Sequence, residues 1–340
     1  KKGHGSTSPN PMVGCVIVMD GEIIGEGYHK GFGEDHAEVV AFNNSVKLPM
    51  DVSVYINLEP CSIYGKTPPC TDVLLKNSVK EIYIGCLDPN MNKEGLEILR
   101  KSGIKIQTGI LEERCIDLNK GFLNIINYKR PWTIAKLAQS SEGYIGIDSN
   151  QSIWITGEQS KIHTHQLRSE VDAILIGRQT ALVDNPKLTV REVIGENPKR
   201  LVLDTDRKLP MNLNIFNQED QKTIVFCSNR RFQNTHTEKY QYVAVEEYNE
   251  RLSPASVIDE IVKLGINSLL IEGGAEVIKS FMQFNLIDEV YIYTAPKSLS
   301  GAKLKNPIIL DEDWVVTSEK SIGKDQLMIA RKKEECLQEL

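Results

Sequence analysis

The chain has no apolar run near the roughly 18 residues that a membrane-spanning helix needs, so a helical membrane protein is not expected. It has no internal repeat and no low-complexity tract, which removes solenoids and tail-like segments from consideration. It lacks an excess of positive charge: a formal charge of -6 repels a phosphate backbone, and nucleic acid is a poor partner. It also lacks a disulfide framework. Its seven cysteines, at positions 15, 61, 70, 86, 115, 227 and 336, are odd in number and widely scattered, which fits a reducing, cytoplasmic setting. The opening Lys1-Lys2-Gly3-His4-Gly5 leads into polar residues and proline rather than an apolar segment, so no secretory leader is expected. With no initiating Met, the gene product is expected to extend a little before Lys1.

What is present points to two domains, since 340 residues exceed what one core usually organises. Residues 13–24 read as a hairpin turning at Asp20-Gly21. Apolar runs and amphipathic stretches then alternate: strands over 52–58, 81–85 and 104–108, and helices over 70–77, 95–102 and 111–126. Such alternation implies an α/β layer with helices covering a largely parallel sheet. Polar residues ending in Pro131 then precede a new strand, so the boundary is placed to give domains 1–128 and 129–340. The second domain repeats the α/β cycle, with a capping-box pattern from Thr156 to Gln159, a helix over 254–264 and a strand over 268–272 ending in Gly273-Gly274.

His36-Ala37-Glu38 falls at an expected helix start, Glu59-Pro60-Cys61 at the end of a strand, and Cys70 at another helix start. One imidazole and two thiolates suit zinc and leave its fourth tetrahedral position for water, the arrangement of a catalytic site. Helix N-termini favour the thiolate forms. Zinc lowers the pKa of its water. Glu38, two residues from His36, is placed to carry a proton from that water to a leaving amine. His-x-Glu followed by Pro-Cys and a second Cys is the pattern of zinc nucleobase deaminases, although eight residues rather than two separate the cysteines here.

No His/Cys cluster occurs in the second half, so its chemistry must come from a bound cofactor. The strand ending in Gly273-Gly274 before a helix could cradle a phosphate, or could be only a tight turn, since no GxGxxG is present. His163 and His165 lie two apart on a helix and point about 200° away from one another, so they cannot share a metal. His4, His29 and His236 have no partner that the sequence names. The five cysteines other than Cys61 and Cys70 read as buried small hydrophobes.

In order along the chain, SPNPMVGCVIV (8–18), HAE (36–38), EPCSIYGKTPPC (59–70), WITGEQS (154–160), DNPKLTVR (184–191) and IEGG (271–274) resemble the bifunctional riboflavin-biosynthesis deaminase-reductase family. The resemblance covers nearly the whole chain. It implies a cytidine-deaminase-like α/β/α domain followed by a dihydrofolate-reductase-like α/β domain, with Zn2+ and NADPH as cofactors. It implies a small-molecule substrate, a diaminopyrimidinone carrying a phosphoribosylamino group. This would be deaminated to the aminouracil and then reduced at C1′ of the ring-opened sugar to the ribitylamino product. Family members also imply a homo-oligomer.

Carried over residue by residue, His36, Cys61 and Cys70 match the zinc ligands and Glu38 the proton donor. Asn10, Ser62 and Lys66 match substrate positions, although Lys66 could equally be an exposed loop lysine. In the second domain Gln139, Trp154, Thr180, Asp184 and Ser228 match NADPH-contacting positions. Gly274, Ala275, Glu276, Val277, Ile278, Lys279 and Ser280 match its phosphate loop. Ser152, Arg168, Leu188, Arg191 and Glu272 match substrate positions, and Lys136 is a further candidate. Two arginines suit a phosphate monoester through paired, charge-assisted bonds, though either could be a surface ion pair. Trp154 could also be a core aromatic.

Three places depart from the family. Ile63 replaces the usual His after Cys-Ser and removes an imidazole hydrogen bond to substrate. The loop from Asp88 to Gly95 is shorter than usual and lacks a second glycine. Ser141-Glu142-Gly143 stands where Leu-Asp-Gly is common, so Glu142 receives no role. Two rival readings follow: a nucleic-acid deaminase with a C-terminal binding module, and a reductase whose deaminase domain is impaired at Ile63. The acidic balance and the absence of aromatic-basic clusters argue against the first.

Overall fold

The computed structural model describes residues 2–46, 51–64, 68–147, 153–220, 222–233 and 239–333. Lys66 and Ser152, two expected substrate contacts, lie outside the described residues, as do His236 and Cys336. The chain separates into two compact units, Lys1–Lys129 and Arg130–Leu340.

The N-terminal unit begins with an antiparallel hairpin of β1 (Gly14–Met19) and β2 (Glu22–Tyr28). There follow α1 (Ala37–Asn43), β3 (Val52–Leu58), α2 (Cys70–Lys76), β4 (Val79–Cys86), α3 (Glu94–Lys101), β5 (Lys105–Thr108), α4 (Glu112–Leu118) and α5 (Lys120–Tyr128). The sheet runs β2-β1-β3-β4-β5. It is mixed rather than largely parallel: β1 is antiparallel to both neighbours, and only β3, β4 and β5 run parallel. Alternate residues of β3, Val52, Val54 and Ile56, point into a core closed by Ala37 and Ala41 of α1, Leu74 of α2 and Leu96 and Leu99 of α3. Gly27 permits the closest approach in this unit. A Cβ there would meet the Ala37 carbonyl oxygen at 2.2 Å and the Ala41 nitrogen at 2.4 Å, so β2 lies against the backbone of α1.

The single helix expected over 111–126 is two helices, broken at Asn119, whose backbone is non-helical (φ -108, ψ 18). Its buried side-chain amide explains the break. Oδ1 accepts from the Met12 amide at 2.8 Å while Nδ2 donates to the Met12 carbonyl at 3.0 Å, so a leucine there would take the acceptor from the Met12 amide, the carbonyl keeping a second donor in Asn57 Nδ2 at 2.9 Å. Cys115 on α4 is only half-buried, unlike the buried Cys15, Cys86 and Cys227.

The C-terminal unit comprises β6 (Trp132–Gln139), β7 (Tyr144–Ile147), α6 (Glu158–Ser169), β8 (Ala173–Gly177), α7 (Arg178–Asp184), β9 (Lys199–Leu203), β10 (Thr223–Ser228), β11 (Tyr240–Val245), the short pair β12 (Glu247–Tyr248) and β13 (Arg251–Leu252), α8 (Pro254–Lys263), β14 (Ser268–Glu272), α9 (Ala275–Gln283), β15 (Glu289–Thr294), β16 (Ala302–Lys305), β17 (Trp314–Ile322) and β18 (Asp325–Lys332). Its main sheet runs β11-β10-β9-β8-β14-β6-β15-β18-β17. The strands from β11 to β15 are all parallel, while β18 and β17 close one edge as an antiparallel hairpin. Parallel strands are covered on both faces, and β8, Ala-Ile-Leu-Ile-Gly, is accordingly buried along its whole length. Cores lie on either side of the sheet.

The capping box expected from Thr156 to Gln159 does not form. The N-cap of α6 is Gly157 with no side-chain cap. Buried Asp325, from β18, takes that role from a distance in sequence: its Oδ2 accepts from the Gly157 amide at 2.7 Å and from the Ser160 hydroxyl at 2.6 Å. A second long-range carboxylate, Asp288, is fully buried and accepts two bonds from the Arg130 guanidinium, at 2.7 and 2.6 Å, and one from the Thr133 amide at 2.8 Å. These contacts tie the start of β6 to the loop before β15.

Candidate active sites

In the N-terminal unit two helix starts and one strand end meet. His36 is the N-cap of α1 and makes no side-chain cap bond, which leaves its ring free to turn towards the cysteines. The buried strand β3 delivers Cys61, and Cys70 opens α2 behind Pro69. His36 Nδ1 lies 3.2 Å from Cys70 Sγ and 3.5 Å from Cys61 Sγ, and the Cys70 amide donates to Cys61 Sγ at 3.3 Å. All three donor atoms lie within 4.8 Å of one another, the one such cluster among the described residues. Tetrahedral zinc, with Zn–S near ~2.3 Å and Zn–N near ~2.1 Å, sets sulfur and nitrogen about 3.6 Å apart. The donor set therefore fits a zinc ion held by three protein ligands.

Glu38 sits in the first turn of α1 and is 2% exposed. Burial pushes its carboxyl above the ordinary carboxylate range. The hydrogen bond from Cys70, supported by His36, draws the Cys61 thiol down, and the same bond together with burial pushes Cys70 up.

Around this cluster the structure supplies a residue that sequence reasoning missed. His29, buried at the end of the region following β2, donates from Nδ1 to the Asp35 carbonyl at 3.1 Å, so its Nε2 accepts from Asn10 Nδ2, also at 3.1 Å. Its ring packs edge-on against His36, centroids 5.7 Å apart. The Asn10 side chain is thereby oriented through His29, with its carbonyl oxygen free of that bond. Ser62 follows Cys61 and packs on Gly95, where a Cβ would meet its own at 2.6 Å. Ile63 is 62% exposed.

In the C-terminal unit a cavity of about 660 Å3 opens at the carboxyl ends of β6 and β14 and against α7, around the crevice where the strand order reverses. It gathers Trp154, Thr180, Asp184, Leu188, Arg168, Arg191, Glu272, Gly274, Ala275 and Ile278, and also Lys136. A second cavity of about 1000 Å3 shares Thr180, Asp184, Gly274 and Ala275 with it and continues past Glu276, Val277 and Ser280. Gln139, Ser228 and Lys279 line neither. Gln139 is held between Thr294 and Asn306, at 3.0 and 2.8 Å. The buried Ser228 hydroxyl accepts from the Arg230 amide. Trp154 is no core aromatic, being 63% exposed at the cavity.

Gly273 and Gly274 both have positive φ, +135 and +61, and a Cβ on Gly273 would meet the Thr180 side chain at 2.8 Å. The paired glycines bring bare backbone to the cavity directly before α9, where first-turn N–H groups are unused by the helix. This cradle suits the pyrophosphate of a dinucleotide.

Arg168 pairs with Glu272 in fork geometry, Nε to Oε1 at 2.6 Å and Nη2 to Oε2 at 2.8 Å, and Nη1 donates to the Thr189 carbonyl at 3.3 Å. Burial raises the Glu272 pKa, but Arg168, with help from Lys136, more than offsets it and leaves the carboxyl below its ordinary range. Burial lowers the Lys136 ammonium, Glu272 partly opposing. His165 was considered in the sequence only as a non-ligand. It is 2% exposed, lines the cavity one turn from Arg168, and accepts from the Arg191 amide at Nδ1, 3.1 Å away. Burial, then Arg168 and Arg191, lower it to about 4. Its i, i+3 spacing to Arg168 was the signal in the sequence. His163 turns elsewhere, its Nδ1 2.7 Å from the Tyr293 hydroxyl.

Residues 1–86 match the profile described as cytidine and deoxycytidylate deaminase zinc-binding region, and residues 131–320 match the RibD C-terminal domain. The chain is 35% identical over 302 residues to the riboflavin biosynthesis protein RibD of Aquifex aeolicus, covering 87% of this chain and 84% of that protein. It is 34% identical over 316 residues to RibD of Escherichia coli, covering 88% and 86%. Among solved structures it is similar to a diaminohydroxyphosphoribosylaminopyrimidine deaminase/5-amino-6-(5-phosphoribosylamino)uracil reductase from Thermotoga maritima, with a TM-score of 0.88, 31% identity and coverage of 98% and 95%. It is also similar to Acinetobacter baumannii RibD, with a TM-score of 0.86, 29% identity and coverage of 98% and 96%. Among the described residues no helix is long and apolar enough to cross a membrane. A cytidine-deaminase-like zinc-binding domain followed by a dihydrofolate-reductase-like domain, matched over nearly its whole length, places the chain in the RibD family of bifunctional riboflavin-biosynthesis deaminase-reductases.

Proposed function

We propose that the N-terminal unit hydrolytically deaminates a diaminopyrimidinone bearing a phosphoribosylamino group, and that the C-terminal unit reduces the resulting aminouracil with NADPH to the ribitylamino product. The observation that carries this reading is the convergence of His36, Cys61 and Cys70 beside a buried Glu38, in a chain that also holds a cationic cavity at the switch point of a parallel sheet.

His36, Cys61 and Cys70 would hold zinc, which when bound supplies the Lewis acidity that makes water a nucleophile near neutral pH. Glu38 takes the proton that water gives up and delivers it to the amine as it leaves. Its raised pKa suits a group that must both accept and donate. Asn10, oriented by His29, and Ser62 would hold the pyrimidine, and Lys66, outside the described residues, is assigned to the phosphate by the family resemblance alone.

In the second unit NADPH supplies the hydride for C1′. Trp154, Thr180, Asp184 and the run from Gly274 to Ser280 would hold it, with Gly273-Gly274 giving the pyrophosphate room against bare backbone. Gln139, Ser228 and Lys279, outside the cavities, would bear on the cofactor only through the residues they support. Arg191 and Arg168 would face the substrate phosphate and Lys136 and Glu272 the opened sugar, while Leu188, buried in the core, would shape the cavity wall, with Ser152 nearby in sequence to Trp154. Cationic side chains are concentrated on this cavity, which fits an anionic substrate of small size.

The test is simultaneous measurement of ammonia release and NADPH consumption on the phosphoribosylamino substrate. One ammonia and one NADPH per substrate are expected. NADPH consumption with no ammonia would leave only a reductase, and ammonia with no NADPH consumption would leave only a deaminase.

A further inference from the structure

The segment from Asn185 to Arg191 straps the side of the C-terminal cavity, and its backbone is held in an unfavourable shape. Asn185 and Leu188 both have positive φ, 39 and 53, and Leu188 carries a branched side chain buried in the core. Such a strap keeps its shape only if its neighbours hold it. Four side chains do so: Asn214 Nδ2 donates to the Asn185 carbonyl at 2.8 Å, Arg168 Nη1 donates to the Thr189 carbonyl at 3.3 Å, Asn197 Oδ1 accepts from the Val190 amide at 2.8 Å, and His165 Nδ1 accepts from the Arg191 amide at 3.1 Å.

The His165 tether differs from the others because it acts on Arg191, which lines the cavity and is read above as a phosphate ligand. Arg191 itself is exposed, its Nη1 bonded to the Thr189 hydroxyl at 2.8 Å. Its direction is therefore set by its backbone and by Thr189. We propose that His165 is a positioning residue of the reductase site: through its Nδ1 acceptor it fixes the Arg191 backbone, and with it the guanidinium that receives the substrate's phosphate. This rests on the reading of Arg191 as a phosphate ligand. An imidazole accepting at Nδ1 carries its proton on Nε2, so the ring is locked in one tautomer. A protonated ring could not accept at Nδ1, and burial, with Arg168 and Arg191 beside it, disfavours the protonated form and so preserves the tether on Arg191.

Asparagine offers the control, because its Oδ1 can occupy nearly the position of Nδ1 while nothing replaces Nε2. His165→Ala, His165→Asn and Arg191→Ala are assayed for reduction of the pre-deaminated substrate with its phosphate and of the same compound without it, and for NADPH binding by fluorescence titration. His165→Ala is expected to raise KM for the phosphorylated substrate about tenfold, equivalent to about 1.4 kcal/mol. Its kcat, its KM for the dephosphorylated substrate and its NADPH Kd should change less than about twofold, and His165→Asn should recover most of the loss. An alanine variant with unchanged KM, an asparagine variant as poor as alanine, or an equal loss on both substrates would each overturn the assignment. Arg191→Ala separates the two levels. If it binds both substrates normally, the phosphate reading itself fails. If it loses only the phosphorylated substrate while His165→Ala does not, the tether alone is wrong.

Discussion

Replacing Arg168 with methionine tests the electrostatics of the C-terminal cavity while keeping the side-chain volume. The Arg168 and Glu272 side chains are 12% and 10% exposed and joined by two short bonds, so solvent screens the pair little. Removing one partner from a buried pair leaves an uncompensated charge and costs about 3 to 5 kcal/mol. Lys136 remains near Glu272, which puts the expectation at the lower end, about 3 kcal/mol. With a urea slope of about 2 kcal/mol/M, the midpoint falls by about 1.5 M.

The effect carries a pH signature. In the native protein Glu272 is held below its ordinary pKa, so its contribution to stability is present above the unfolded value of about 4.3 and is lost as pH falls through the folded value. In Arg168→Met, burial is no longer offset by the guanidinium, and Glu272 rises. The variant is then penalised at neutral pH and relieved on acidification, so the gap between the two proteins narrows between about pH 7 and about pH 4.5. Tryptophan fluorescence isolates the relevant unit, because all three tryptophans, Trp132, Trp154 and Trp314, belong to residues 130–340. A midpoint shift worth under about 1 kcal/mol at pH 7, or a gap that does not narrow with acid, would refute the reasoning.

Gly27→Ala places a methyl group against backbone atoms of α1 that have nowhere to go. The helix start carrying His36 and Glu38 should shift, lowering zinc content by atomic absorption and ammonia release while NADPH-dependent reduction of pre-deaminated substrate persists. Cys61→Ser exchanges a soft thiolate for a hydroxyl, and zinc content should fall close to zero with deamination lost and reduction kept.

Much of the fold was legible because its signals are local. The apolar run over 52–58 and the Asp20-Gly21 turn lie where a strand and a hairpin turn form, and strand 268–272 ends at its two glycines as read. What escaped is non-local. Nothing within six residues of Asn119 shows that its amide will bind Met12, more than a hundred residues earlier, and break a helix there. The cap of α6 comes from Asp325, and no reading of Thr156 to Gln159 could have supplied it. The closing hairpin of β17 and β18 went unread because β17 keeps most of its residues exposed and so lacks a buried-face alternation.

The candidate sites divide in the same way. His36, Cys61 and Cys70 were visible because metal ligands are chemically unusual and sit at helix starts and a strand end. His29 and His165 were not, since each works by orienting a neighbour through one ring nitrogen, and only the folded chain shows which neighbour.

The claim that one chain carries two independent active sites is tested most directly by Glu38→Gln, which keeps the shape of a buried side chain but cannot carry the proton. The account predicts full zinc content, unchanged NADPH oxidation on pre-deaminated substrate, and ammonia release reduced by at least about a hundredfold. Ammonia release at the unaltered rate in a variant that retains its zinc would contradict it.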